Sequence, residues 1–190
     1  MRQASGLLFA LLASGAAQAA PQSTPMTAQT FEINKPSQLA TIWADKIPAA
    51  VAARQHLIDQ NIKGLHPLAA LSALTATFTV SGGTLLVSSL DRPCQSQNWA
   101  PVGTFPETAY CTLRVTLVSA DGDKTIAEVA DVCEAQAFAD KAGESLLTDS
   151  PVVRTVATFD PTTRTLAISA TANGGPACQS TDNKPLHLNY

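Results

Sequence analysis

The sequence predicts an α+β fold: an antiparallel β-sheet, a meander of hairpins, covered on one face by an N-terminal helix or helix pair and held by two disulfides. Three observations carry this. LTATFTV at residues 74–80 alternates strictly, residues 34–63 place apolar side chains at helical spacing, and four cysteines follow an export-type N-terminus.

The N-terminus is set aside first. Met1-Arg2 gives a positive start, Leu7 to Ala13 is apolar but short, and Ala17-Gln18-Ala19 has the A-x-A pattern of a signal cut after Ala19 or Ala20. Residues 1–19 therefore read as a signal peptide, which makes the protein secreted or periplasmic. Residues 20–33 (APQSTPMTAQTFEI) are rich in Pro, Ser and Thr and read as a flexible lead-in. Residues 34–190 then form one α+β domain, and a mature chain of about 170 residues is enough to build its core.

The domain opens with helix. Asn34 is placed to cap it, and Leu39, Ile42, Trp43 and Ile47 recur on one face. Pro48 either kinks this helix or starts a second, which carries Val51, Leu57, Ile58 and Ile62 and stops at Gly64. The apolar stripe needs a flat surface. LTATFTV supplies it, with Leu74, Ala76, Phe78 and Val80 facing one way and Thr75, Thr77 and Thr79 the other. Gly82-Gly83 turns the chain into TLLVSS. No Asp, Glu, Lys or Arg falls between Gly64 and Leu90, but the threonines and paired glycines break any membrane-spanning helix.

Leu113, Val115 and Leu117 alternate into another strand, and Asp121-Gly122-Asp123 is a turn. Residues 124–145 fit either type; strand first and then a short helix from Glu134 is the preferred reading. VVRTVATF and TLAISAT form a last hairpin about Asp160-Pro161-Thr162-Thr163, which suits a type I turn. Leu186 and Leu188 mark a short terminal strand.

Cys94, Cys111, Cys133 and Cys178 allow three pairings; Cys94 with Cys111 is preferred because it closes the shorter loop, leaving Cys133 with Cys178. No C-x-x-C or paired-His spacing accompanies them, so zinc is not expected.

Little chemistry is visible. Fifteen acidic against twelve basic residues, the latter scattered, leave no footprint for nucleic acid. His56 and Asp59 lie three apart on the helix, His66 precedes a proline and His187 is near the end. Asp121, Asp123 and Glu128 resemble only part of a calcium loop. No cofactor or metal is expected, and the balance leans away from an enzyme.

The segment CQSQNWAPVGTFPETAYC is the exception. It concentrates Trp99, Phe105 and Tyr110 in a chain with two Trp, two Tyr and six Phe, and Pro101, Gly103 and Pro106 keep it irregular. A disulfide across it would remove about 3 kcal/mol of unfolded-chain entropy. Its rings either fold inward as a lid or form a recognition surface, since aromatics bury much area at low entropy cost. The expected function is a non-catalytic binding or inhibitor-like module recognising another protein or a surface ligand through this loop. The alternative is a small secreted hydrolase whose histidines and carboxylates meet only on folding.

Overall fold

A computed structural model describes residues 19–60, 66–91, 94–96, 107–141, 144–179 and 182–190. The chain enters as β1 (Gln22–Pro25) and β2 (Thr27–Glu32), then forms α1 (Gln38–Ile42) and α2 (Ile47–Asp59). There follow β3 (Ala70–Val80), β4 (Gly83–Leu90), β5 (Gln95–Ser96), β6 (Glu107–Ser119) and β7 (Gly122–Gln136). β8 (Phe138–Lys141), β9 (Glu144–Leu147), β10 (Val153–Asp160), β11 (Thr165–Ala172), β12 (Gly175–Pro176) and β13 (Leu186–His187) complete it. The protein is mostly antiparallel sheet with two short helices, so the balance expected of an α+β fold shifts strongly toward β.

One sheet runs β2-β3-β4-β6-β5, with β7 on β6; the other runs β1-β10-β11-β12, with β13 on β11; β8 and β9 pair by themselves. The apolar face of β3 is the one the alternation predicts. Leu74, Ala76 and Phe78 meet Leu85, Val87, Leu113 and Val115 of their own sheet and Ala157, Phe159 and Leu166 of the other. The Phe78 and Phe159 rings stand 5.6 Å apart and tilted by 47°, a favourable aromatic geometry. A second cluster joins Leu39, Ile42, Trp43 and Ala50 with Phe31, Leu71, Ala73, Leu86 and Leu90. Residues 71–76 are therefore buried without interruption, and only Thr77 and Thr79 of β3 are exposed.

Four expectations need correction. The segment 20–33 is not a loose lead-in. β1 pairs with β10 and β2 with β3, so the chain passes from one sheet to the other at Met26, whose N–H donates to the Thr155 carbonyl at 2.8 Å. Met26 and Phe31 are buried, and Pro25 sits on an edge strand, where a missing N–H costs no ladder bond.

The helix cap is Ser37 rather than Asn34: its extended backbone (φ −154°) lets the hydroxyl accept from the Ala40 N–H at 3.1 Å. Pro48 lies in the first turn of α2, where its ring costs no helical hydrogen bond, so there are two helices and no kink. α2 ends at Asp59, before Gly64, which lies outside the described residues.

Glu134 starts no helix. β7 continues to Gln136, paired with β6 as far as Glu107. Two register shifts explain the misleading spacing, because each gives β7 one residue more than β6. The extra residues break the two-residue alternation and place Ile126, Val129 and Cys133 at intervals that mimic a helix.

The turns follow their residues closely. β3 and β4 join through Ser81-Gly82, with Gly82 at φ +93°, and Gly83 lies so close to the Val118 carbonyl that a side chain would not fit. In the β10–β11 turn the Asp160 carboxylate accepts from the Thr162 N–H at 2.8 Å and the Thr163 N–H at 3.3 Å. Among the described residues no helix is long and apolar enough to cross a membrane.

Candidate functional site

Disulfides join Cys94 to Cys111 and Cys133 to Cys178, the state thiols reach in an oxidising compartment. Beside the first bond β5 pairs with β6, Gln95 opposite Tyr110 and Ser96 opposite Ala109. Both ends of the 94–111 segment are thus held on one strand. Trp99 and Phe105 lie outside the described residues. Tyr110 is half-buried, and its hydroxyl donates to Asp182 at 3.0 Å, a bond that raises the phenol pKa above its ordinary value.

The second disulfide and one asparagine fasten the C-terminal segment to β7. Asn183 accepts from the Cys133 N–H at 2.8 Å and donates to the carbonyls of Cys133, at 2.8 Å, and Ile168, at 3.2 Å. Asp182 also accepts from the Gln179 N–H at 2.8 Å.

A buried carboxyl lies next to the first disulfide. The Gln136 side chain donates to Glu134 at 3.2 Å and approaches the Cys111 sulfur at the same distance. Glu134 has no solvent exposure, and its second oxygen has no hydrogen-bond partner among the described residues. Burial pushes its pKa up to about 7, against a smaller opposing effect of Ser89 and Gln136. A carboxyl with no solvent exposure is not presented at the surface in this structure.

Among the described residues, the largest ion-pair cluster centres on Arg114. Arg114, in the middle of β6, is buried; its guanidinium donates to both oxygens of Asp45, at 2.7 and 2.6 Å, and to Glu128 at 2.8 Å. It also donates to the Ile42 carbonyl and stacks over the Trp43 ring, 4.5 Å from its centre. Lys46 reaches the far oxygen of Glu128 at 3.1 Å. The hydrogen bonds from Arg114 hold Asp45 below its usual pKa. For Glu128 partial burial works the other way, but the bonds from Lys46 and Arg114 prevail and lower it. One guanidinium therefore ties the turn between α1 and α2 to the sheet. The sequence offered a faint signal of it, a single cation among the apolar residues of β6.

The other candidates stay apart. His56 bonds to Gln60 at 3.0 Å and Asp59 accepts from Gln55 at 2.9 Å, so the two do not bond to each other. His66 contributes a backbone carbonyl to Arg54, and His187 lies on β13. Of the calcium-like fragment, Asp123 accepts from Gln38 at 3.0 Å while Glu128 serves Arg114. Among the described residues, one trio of possible ligands lies close together, Cys133, Cys178 and Asp182, and both of its sulfurs are committed to the disulfide. The chain matches no protein-family model, no curated protein and no solved structure.

Proposed function

We propose that this protein is an exported, non-catalytic binding module that recognises another protein or a surface ligand through the 94–111 segment. One observation carries the reading: the Cys94–Cys111 bond and the β5–β6 pairing hold both ends of an aromatic segment against a single strand. Restricting a loop before it binds lowers the entropy lost on association, so the energy of its aromatic contacts goes into affinity. Export to the periplasm or the medium agrees with the two disulfides and with the signal-like N-terminus. The expected cut after Ala19 leaves every strand intact, since β1 begins at Gln22.

The reading makes two predictions. Mass spectrometry of protein from the native host should find a mature chain starting at Ala20 or Pro21; a retained Met1 would contradict export. Trp99→Ala should change folding stability by no more than about 0.5 kcal/mol, as an exposed substitution does. The same variant should weaken capture of the partner recovered from the secreted fraction by about 2 kcal/mol. If Trp99 is instead a lid on the core, urea unfolding will show a loss of about 3 kcal/mol or more, and the binding role fails.

A further inference from the structure

A second candidate site lies in the seam where the two sheets meet. Leu113, Val132, Leu166, Ile168 and Leu186 line a cavity of about 170 Å³ between β6, β7, β11 and β13. A dry apolar space of about 150 Å³ is enough to hold a benzene ring. The wall is built rather than incidental. The turn carrying Asp182, Asn183 and Lys184 is fixed to β7 through both Asn183–Cys133 bonds, to β6 through Tyr110 and to the body by the Cys133–Cys178 disulfide.

Three charged residues line this apolar space, and Asp182 is already committed to the Tyr110 hydroxyl and the Gln179 N–H. Asp131 and Lys184 are exposed, and among the described residues neither side chain makes a hydrogen bond or ion pair. Asp131 falls where β7 has one residue more than β6, and holds φ at +56°, a left-handed conformation that aspartate and asparagine adopt more readily than other non-glycine residues. Bulges re-aim side chains, and this one sets an uncommitted carboxylate in the wall of the cavity.

We propose that this cavity binds a free α-amino acid with an apolar side chain of leucine or phenylalanine size. The side chain enters the seam, the α-ammonium meets Asp131 and the α-carboxylate meets Lys184. The complementarity is to a zwitterion: an amine alone leaves Lys184 unanswered, and an acid alone leaves Asp131 unanswered. The site does not depend on the reading of the 94–111 segment.

The test is a titration followed in amide NMR spectra, with L-phenylalanine and L-leucine as ligands and phenethylamine and phenylpropanoate as fragments lacking one charge. Saturable shifts are expected around Val132, Ile168 and Leu186, with each fragment binding at least about tenfold more weakly. Asp131→Asn, which keeps a residue tolerant of positive φ, should weaken L-phenylalanine by about tenfold, and Lys184→Gln similarly. Asp131→Gly should lose binding while melting no lower than the parent, because glycine relieves the backbone. Trp99→Ala should leave the affinity unchanged, which separates this site from the segment above. No saturable shift at several millimolar, equal affinity for the single-charge fragments, or full affinity in Asp131→Asn each overturns the proposal.

Discussion

Arg114→Met should cost about 3 kcal/mol of folding stability, read as a lower urea midpoint at unchanged m-value. The variant loses the guanidinium that answers the Ile42 carbonyl, and Trp43, fully buried, loses the group stacked on it. Removing one member of a buried ion pair can cost more, because the orphaned charge remains inside. Here the carboxylates have a way out: the side chains of Asp45 and Glu128 are 59% and 39% exposed and rehydrate. The penalty therefore comes mainly from the carbonyl, the ring and the void. Two companions sharpen the test. Arg114→Lys should recover less than half of the loss, since an ammonium neither forks onto Asp45 nor stacks flat on an indole. Asp45→Asn should cost no more than about 1 kcal/mol, the scale of an exposed partner. If Arg114→Met unfolds within 1 kcal/mol of the parent (about the worth of one ordinary hydrogen bond), the cluster does not hold the helical turn to the sheet.

Glu134→Gln should stabilise the protein above neutral pH and leave it nearly unchanged in acid. Burial raises the folded-state pKa from 4.5 to about 7, so folding takes up a proton between those values. Stability from this group is complete below about pH 4.5, falls as pH rises through about 7, and stays low beyond. At 1.36 kcal/mol per pH unit the full swing is about 3 kcal/mol. An amide of the same shape still accepts from Gln136 and carries no charge to desolvate. Urea unfolding of both proteins from acid to mildly alkaline pH should therefore show curves that coincide in acid and diverge above. Parallel curves across the whole range would mean that Glu134 is solvated or paired in a way its burial excludes.

The two predictions concern residues whose importance was hidden in the linear chain, for the same reason. A charged side chain in a strand reads as solvent-facing unless something covers that face. In β6 the cover comes from Trp43 and Asp45, about 70 positions upstream. Spacing alone points to a helix start at Glu134, whereas β7 continues to Gln136 with Val132, Cys133, Ala135 and Gln136 buried around it. The Asp131 and Lys184 rim is equally non-local, since it exists only because Asn183 and a disulfide bring the C-terminal turn against a bulge.

By itself the sequence determined what short-range geometry dictates. Strict alternation set the inward face of β3, Gly82 and Asp160-Pro161 set two hairpins, Pro48 marked either a kink or the start of a second helix, and the shorter loop favoured the disulfide partners that the structure contains. Tertiary structure alone decided the division of residues 20–33 between two sheets, the strand identity of the region around Glu134 and the burial of Arg114. Periodicity is a property of neighbours along the chain, whereas a bulge, a sheet crossing or a buried charge exists only relative to the strand or ring that packs against it.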